Sequence, residues 1–279
     1  MIPFVHLHVH SYYSLLDGQA SISRLVDKAM ADGMRGMALT DHGNMMGIKD
    51  FFNYVSKKKG GAAKDKKAAE AKLAALRDGS YQNAPDEKGV NPDAGKTNEE
   101  LIAECEKKIE KAQRILDFKP IFGCEMYCAR RTKADKKTKE DRSGWHLVVL
   151  AKNETGYHNL VKLVSRSWID GFYMKPRTDK ADLEQFKEGL IISSACLGGE
   201  IPRKILTGDL QGAEEAVMWF KKTFGEDYYL ELQRHEVKDP AQRANRETYP
   251  LQVQANKVLL ELAEKCGVKY ICTNDSHFA

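Results

Sequence analysis

Short apolar strands that lead into polar, ligand-type side chains recur along the chain, and this pattern limits its fold more than any other feature. Alternating apolar residues predict a first strand over 5–9, and similar runs predict strands at 36–40, 120–128, 145–151, 190–194, 228–233 and 269–273. Amphipathic helices are predicted at 21–31, 48–56, 98–116, 154–168, 210–224 and 250–266. Strands that alternate with helices in this way predict an α/β protein with a largely parallel sheet.

The ends of these strands carry residues suited to chemistry. His8 and His10 are two residues apart on a strand and should point the same way, as should Asp275 and His277. In barrels and open α/β sheets the loops after the carboxyl ends of the strands build the active site, so we expect these segments to converge on one pocket. The segments are His8–His10 with Asp17, Thr40–His42, Gly123–Glu125, Trp145–His146, Ile191–Gly199 and Thr273–His277.

The residue types at the strand ends are those of a metal site. Imidazole, carboxylate and one thiolate together suit Zn²⁺, Mn²⁺ or Fe²⁺ better than Mg²⁺ or Ca²⁺. The set holds more ligands than one tetrahedral ion needs, which predicts a cluster of two or three divalent ions with Glu125 or Asp275 as a bridge. Such clusters activate water and stabilise the attacking and leaving oxygens of a phosphoryl displacement.

Charge and composition bear on location and domain organisation. The sequence has neither a run of about 20 apolar residues nor a signal-peptide pattern, which predicts a cytoplasmic protein without a membrane partner. The net charge of +4, from 44 basic and 40 acidic residues, does not by itself argue for nucleic acid. The stretch 57–117 opens with a lysine and glycine run and predicts a helical surface insertion, with a loop at about 78–97, within a single domain of residues 1–279.

Several motifs together resemble those of the PHP (polymerase and histidinol phosphatase) superfamily. They are His8–His10, Thr40–Gly43, Gly123–Glu125, Trp145–His146 and Asn274–His277. Within the superfamily the chain looks more like the PHP domain at the N-terminus of bacterial DNA polymerase III α subunits, on the segments Phe4–Ser11, Tyr13–Gly18, Ala195–Ile201 and Tyr229–His235. The resemblance covers nearly the whole chain except 57–117.

This resemblance implies a fold and a set of site residues. The implied fold is a distorted, seven-stranded β/α barrel, similar to a TIM barrel, with a metal cluster at the carboxyl ends of the strands. The implied metal ligands are His8, His10, Asp17, His42, Glu125, His146, Cys196, Asp275 and His277, and all nine positions hold a residue able to bind metal. Among them, Glu125, His146 and Asp275 are the implied catalytic residues.

The resemblance also implies an activity and partners. The activity is that of a metal-dependent phosphoesterase, in the form of a 3′→5′ exonuclease that removes misincorporated nucleotides from DNA. The polymerase domains of a complete α subunit should lie outside these 279 residues, so we expect an excised domain of a bacterial cytoplasmic protein that does not synthesise DNA by itself. Expected partners are the DNA 3′ end, the other polymerase domains and, through the complete subunit, replisome components such as the sliding clamp and a separate proofreading subunit.

Two alternative functions stay open on the sequence. The domain is then either a catalytically silent module whose metals brace the polymerase, or a freestanding phosphatase of the histidinol-phosphate type. The polymerase-type segment Ala195–Ile201 disfavours the second alternative.

Other residues have weaker predictions. Arg203 is the candidate contact for substrate phosphate, with Lys175 and Arg177 behind it, because a cation on the non-bridging oxygens assists phosphoester hydrolysis and Arg binds them bidentately. Structural, surface or outer roles are predicted for His6, His158 and His235, and packing roles for Cys124 and Cys128.

Overall fold

The computed structural model describes residues 4–85 and 90–278, in which seven strands form one curled sheet. The strands are β1 (Gly36–Leu39), β2 (Lys119–Cys128), β3 (Trp145–Ala151), β4 (Arg177–Thr178), β5 (Leu190–Ser193), β6 (Tyr228–Gln233) and β7 (Lys269–Thr273). Their order in the sheet is β1-β2-β3-β5-β6-β7, and β4 pairs with β2. This architecture, with helices packed against the sheet, confirms the predicted α/β fold with seven strands.

The sheet is largely parallel, as predicted, but one strand is reversed. Four of the six strand pairings in the described residues are parallel, whereas β3 runs antiparallel to both β2 and β5. A reversed strand brings its first residues, rather than its last, to the end of the sheet where its neighbours finish. For this reason His146, the second residue of β3, lies opposite Tyr127 near the end of β2.

The segment predicted as the first strand is not a regular strand. It makes isolated parallel bridges on two sides, between His6 and Met37 of β1 and between Val9 and Ser276 after β7. The amide of His10 donates to the carbonyl of Ser276 at 2.8 Å. Because the segment changes partners after three residues, neither set of bridges extends into a continuous ladder. The segment nevertheless joins β1 to the residues after β7, and so connects the two edges of the curled sheet into a barrel form.

Eight α-helices surround the sheet in the described residues. They are α1 (Ile22–Ala31), α2 (Ile48–Asp78), α3 (Asn98–Asp117), α4 (Glu154–Ile169), α5 (Lys180–Gln185), α6 (Glu200–Leu206), α7 (Leu210–Phe224) and α8 (Tyr249–Cys266). Ser21 caps α1 by accepting a hydrogen bond from the Arg24 amide, and Thr97 forms a capping box with Glu100 at the start of α3. None of the helices in the described part of the chain has both the length and the apolar character required to cross a membrane.

Helix α2 is longer than predicted. It continues for 31 residues instead of ending near Ser56, and the run Lys57–Gly61 lies inside it. Glycine weakens a helix but does not stop one, and the alanine-rich stretch that follows favours continuation. Helix α3 packs back on α2 through a small core that includes Leu76, Leu101 and Cys105. The helical pair therefore begins at Ile48, before the predicted boundary of the insertion at residue 57.

Three short elements, β4, α5 and α6, are absent from the sequence prediction. Each has seven residues or fewer, too few for an apolar period to show. Local capping still defines α5, because the side chain of Asp179 accepts a hydrogen bond from the Asp182 amide.

Candidate metal centre

The nine predicted ligand residues meet at one end of the sheet, although they come from separate segments of the chain. Parallel bridges hold the segments in register: His42, which follows β1, pairs with Glu125 of β2, and His146 pairs with Gly199 after β5. The nine residues are linked by contacts of 3.7 Å or less and are His8, His10, Asp17, His42, Glu125, His146, Cys196, Asp275 and His277. We call this group the metal cluster site.

Glu125 lies at the centre of the site and is 1% exposed. Its Oε1 is 2.9 Å from His146 Nδ1 and 3.2 Å from His8 Nε2. Its Oε2 is 2.5 Å from His42 Nδ1 and 3.6 Å from His10 Nε2. Each carboxylate oxygen thus faces two imidazoles, an arrangement suited to a bridging ligand.

Asp275 is a second carboxylate shared between histidines. Its Oδ1 lies 3.2 Å from His8 Nε2 and 3.1 Å from His10 Nε2. The residue follows β7 and has φ +47°, a left-handed conformation that Asp tolerates better than most residues. Asp275 and His277 therefore reach the site through a turn and not along a regular strand. The His277 Nδ1 lies 2.9 Å from the Asp275 carbonyl oxygen.

Asp17 forms the solvent side of the site. Its Oδ2 lies 2.9 Å from His42 Nε2 and 3.1 Å from His277 Nε2. Its side chain is 56% exposed, whereas Glu125 is buried. The site is therefore open on the side of Asp17 and closed beneath Glu125.

Cys196 enters the site from the loop after β5. Its Sγ lies 3.5 Å from His146 Nδ1 and 3.7 Å from Glu125 Oε1. Burial, assisted by the nearby carboxylate, raises the pKa of the Cys196 thiol well above its ordinary value, so only a bound cation would favour the thiolate here. Cys124 and Cys128 are buried among apolar side chains of the core, which agrees with their predicted packing role.

Five buried polar atoms of the site have no hydrogen-bond partner in the described residues. They are His8 Nε2, His10 Nε2, His42 Nδ1, Glu125 Oε2 and Asp275 Oδ1. Buried polar atoms are normally satisfied, and five such atoms facing one another require an explanation. Their nitrogen and oxygen ligand types fit Zn²⁺, Mn²⁺ or Fe²⁺.

Three overlapping groups have ligand atoms within 4.8 Å of one another: His10, His42 and His277; His8, His10 and Asp275; and His42, Glu125 and His146. Because the groups share His10 and His42, they form one continuous cluster of ligand atoms. The residues present therefore fit divalent metals.

Charges in the site keep its carboxylates ionised. Burial raises the pKa of Glu125, but the imidazoles of His146 and His8 outweigh burial and place this pKa well below its ordinary value. Burial also raises the pKa of Asp275, and His8 again outweighs it, so this pKa is lowered as well. For His8, burial lowers the pKa, but Asp275 and the other nearby carboxylates outweigh burial. The pKa of His8 is therefore well above its ordinary value. A bound cation would displace the imidazole protons and take over their role of balancing the carboxylates.

Two buried acids outside the predicted set orient the histidines. Glu231 Oε1 lies 2.7 Å from His8 Nδ1. His10 Nδ1 lies 2.9 Å from the hydroxyl of Ser14, which donates to Asp41 Oδ1 at 2.7 Å. Metal-binding histidines commonly donate their second ring nitrogen in this way, which leaves Nε2 for the metal. Asp41 lies within the motif segment Thr40–Gly43 and Glu231 within Tyr229–His235. An acid between two leucines of a predicted strand is the signal that points to Glu231.

Arg177, a weaker candidate for phosphate binding, has a structural role instead. The residue is 1% exposed. Its guanidinium donates hydrogen bonds to the carbonyl oxygens of Gly171, Lys133 and Asp135, at 3.0, 2.7 and 2.9 Å. This prediction is wrong because sequence does not reveal which arginines are buried.

Lys175 and Arg203 are both exposed. Lys175 Nζ lies 5.3 Å from the ring centroid of Tyr127, whose ring is 5.2 Å from that of His146, so Lys175 lies at the edge of the site. Arg203 is on α6, and its guanidinium forms neither an ion pair nor a hydrogen bond with another described residue. Its contact with substrate phosphate stays a prediction.

The three remaining histidines of the weaker predictions lie outside the cluster. His6 packs edge-on against Phe4 with ring centroids 4.9 Å apart. His158 is exposed on α4, and His235 Nε2 lies 2.6 Å from the carbonyl oxygen of Asn274. These positions agree with structural, surface and outer roles respectively.

Comparison with known proteins gives one family and a set of relatives. A family model described as PHP domain matches residues 6–235. The chain is 39% identical over 276 residues to the DNA polymerase III subunit alpha of Borreliella burgdorferi, and 36% identical over 278 residues to that of Treponema pallidum. Each alignment covers 99% of this chain and 18% of the relative, so the chain spans less than a fifth of the length of these proteins.

One solved structure, of a candidate metal-dependent phosphoesterase from Bifidobacterium adolescentis, has a TM-score of 0.45 and 12% identity, and covers 99% of this chain and 88% of that chain. A likeness of that strength says nothing about activity.

Proposed function

Since the chain belongs to the PHP domain family, we propose that it is a metal-dependent phosphoesterase domain that removes nucleotides from the 3′ end of DNA. The observation that carries this proposal is the group of five buried ligand atoms around Glu125 and Asp275 that make no hydrogen bond in the described residues. Two or three ions of Zn²⁺, Mn²⁺ or Fe²⁺ are the proposed cofactors. DNA is the proposed substrate because the relatives are subunits of a DNA polymerase.

The nine residues are the proposed metal ligands, and three of them have a further proposed role. Divalent ions held by them would supply a Lewis acid that activates water and offsets charge on the phosphoryl oxygens. Glu125 and Asp275 remain ionised and face several ligands each, so they hold the site together. The side chain of His146 is 26% exposed, and we assign it the exchange of a proton with the leaving oxygen. Substrate enters from the side of Asp17, where the site is open.

The test is hydrolysis of 3′-labelled single-stranded DNA by the 279-residue chain with added Mn²⁺ or Zn²⁺. Asp275→Asn keeps the size and tolerates the left-handed backbone, and should lower release of the labelled nucleotide by at least about a hundredfold. Asp65→Asn is the matched control, since this exposed aspartate on α2 has no ion pair in the described residues. Release that is absent in the wild type, or equal in both variants, contradicts the proposal.

The larger context is also proposed from the relatives. The relatives are named as DNA polymerase III alpha subunits. We therefore propose that the domain acts in the bacterial cytoplasm beside the polymerase domains of a replicative α subunit, and that it reaches other replisome subunits through the complete protein. The residues 1–279 then form one PHP domain that carries a helical insertion at 57–117.

A second candidate function is a metal brace without catalysis. The site joins the N-terminal segment to residues after both β1 and β7, so bound ions would fasten the two edges of the sheet. In this case removal of metal lowers the melting temperature, and no metal supports hydrolysis. Turnover of histidinol phosphate, with none of DNA, would instead indicate a small-molecule phosphatase.

A further inference from the structure

The net positive charge of the chain is concentrated in one loop. The β2–β3 loop, residues 129–144, has seven basic and three acidic side chains, a net charge of +4 that equals the +4 of the complete sequence. The remaining residues of the chain are therefore neutral in sum. The loop therefore has a local excess of positive charge that attracts anions.

This loop leaves the sheet beside the metal cluster site. The last two pairs of the β2–β3 ladder are Tyr127 with His146 and Cys128 with Trp145. Glu125 lies three residues before the loop's first neighbour, Cys128, on the same strand. Both ends of the loop are therefore close to the proposed catalytic residues.

Arg177 fastens the loop to a second segment of the border. Its guanidinium binds the carbonyl oxygens of Lys133 and Asp135 in the loop and of Gly171 in the connection after α4. The ammonium of Lys133 also pairs with Asp182 on α5. The two segments form one fixed border of the site.

The last turn of α4 and the second segment together present a stacked aromatic pair. Trp168 Nε1 donates to the carbonyl oxygen of Gly43, the residue after His42, at 2.8 Å. The Trp168 ring stacks on Phe172 with centroids 5.6 Å apart and an interplanar angle of 18°. Both side chains are 44% exposed. Fixed, exposed aromatic faces beside unpaired cations are typical of sites that bind single-stranded nucleic acid.

In the loop, the Arg130 guanidinium lies 4.2 Å from the ring centroid of Trp145, and Lys136 Nζ donates to the carbonyl oxygen of Asp170. Four other cations along this border are exposed and have no ion pair in the described residues. They are Lys137, Lys139 and Arg142 in the loop and Lys175 in the second segment. Arg131, by contrast, is paired with Asp141 at 2.9 Å. We define the basic rim as these four cations together with Trp168 and Phe172.

We propose that the basic rim binds the single-stranded end of a nucleic acid. The cations of the loop contact backbone phosphates, and bases stack on Phe172 and Trp168. The inference rests on the proposed function in one respect, that the 3′ end of the bound nucleic acid points toward the metal cluster site. Binding to the basic rim itself requires no metal.

Binding is measured by fluorescence anisotropy with a labelled oligo(dT) of about 15 nucleotides in EDTA, at several salt concentrations near about 0.1 M. Exchange of Lys137, Lys139 and Arg142 for Gln should raise Kd at least about tenfold and reduce the slope of log K against log salt by about 2, because each phosphate contact to a single strand contributes about 0.7. The matched control exchanges Lys64, Lys67 and Lys107, which are exposed on α2 and α3, for Gln and should leave Kd within about twofold.

The stacking part has its own variants. Phe172→Ala should weaken binding roughly five- to hundredfold, and Phe172→Tyr should restore most of it, since every base stacks on either ring. Any one of three results overturns the inference: an equal loss of oligo(dT) affinity in the two triple variants, binding that does not depend on salt, or equal affinities of the two Phe172 variants.

Hydrolysis of bis(4-nitrophenyl) phosphate by the wild-type chain with Mn²⁺ separates the two proposals. This small diester does not need the basic rim. Rim-dependent oligo(dT) binding without any diester hydrolysis leaves the inference standing and removes the proposed function. If the wild type hydrolyses the diester but oligo(dT) binding is unchanged by the rim substitutions, the proposed function stands and the inference about the basic rim is overturned.

Discussion

His8 and Glu231 lie 223 residues apart in sequence and meet in the buried centre of the sheet, where Nδ1 and Oε1 are 2.7 Å apart. This contact fixes the ring so that Nε2 faces Glu125 and Asp275. Glu231→Gln should therefore weaken metal binding by about 10- to 100-fold, because an amide is a poorer partner for the imidazole. The measurement is a chelator-competition titration with Zn²⁺.

Glu184→Gln is the control for this variant, because Glu184 is exposed on α5. Its affinity for Zn²⁺ should equal that of the wild type. A folded Glu231→Gln variant with wild-type affinity would show that the contact does not orient His8.

Metal should stabilise the fold whether or not it is catalytic. Addition of Zn²⁺ or Mn²⁺ at about 100 times its Kd adds about 2.7 kcal/mol to the free energy of unfolding. For a chain of this size the melting temperature should rise by about 5–10 °C, and EDTA should reverse the rise. Thermal unfolding followed by circular dichroism measures it, and equal curves with and without metal would argue against a metal site.

Arg177 should matter to stability more than most surface arginines. Arg177→Met leaves the carbonyl oxygens of Lys133, Asp135 and Gly171 without their donor in a buried place, at a cost of about 3 kcal/mol. The melting temperature should fall by about 10 °C. Arg114→Met, which removes an exposed pair with Glu110, should change it by about 1 °C at most.

The β2–β3 loop should contribute stability that depends on pH. The amide of Thr138 and the guanidinium of Arg131 donate to Asp141, and together they hold the pKa of this carboxyl well below its ordinary value. A lowered pKa in the folded state stabilises the fold above the unfolded pKa of about 4, and this contribution is lost as pH falls below it.

Asp141→Asn should accordingly lower the melting temperature at neutral pH, and the difference from wild type should shrink below about pH 4. Melting curves at several pH values measure the difference. A gap that stays constant down to about pH 2 would contradict the assignment to the carboxylate charge.

Much of the fold follows from local patterns in the sequence. The predicted bounds of β3, α7, β6 and β7 coincide with those of the structure, because each is a short apolar or amphipathic run between turn residues. The predicted end of α2 near residue 56 is wrong, because the helix continues through Gly60 and Gly61, which occupy open positions where a helix tolerates glycine. The direction of β3 depends on contacts between distant segments and has no local signal.

The candidate site was predictable in its residues more than in its geometry. The sequence places ligand types at strand ends, and the structure brings them together around Glu125. The sequence does not reveal which side chains are buried. For this reason the prediction that Arg177 binds phosphate is wrong, and the sequence does not identify the roles of Glu231 and Asp41. Their roles depend on which side chains face the closed interior, and only the assembled sheet determines that.

The bridging position of the N-terminal segment has a consequence for how a cell makes this protein. Asp17 and His277 are 260 residues apart in sequence, yet Asp17 Oδ2 lies 3.1 Å from His277 Nε2. A ribosome releases the first of them long before it has translated the second. His8 and His10 therefore lack Asp275 and His277 as neighbours until almost all of the 279 residues have emerged from the ribosome. A metal ion could therefore meet the complete ligand set only after residue 277 has emerged, and a chain stalled before that point has no finished site to fill.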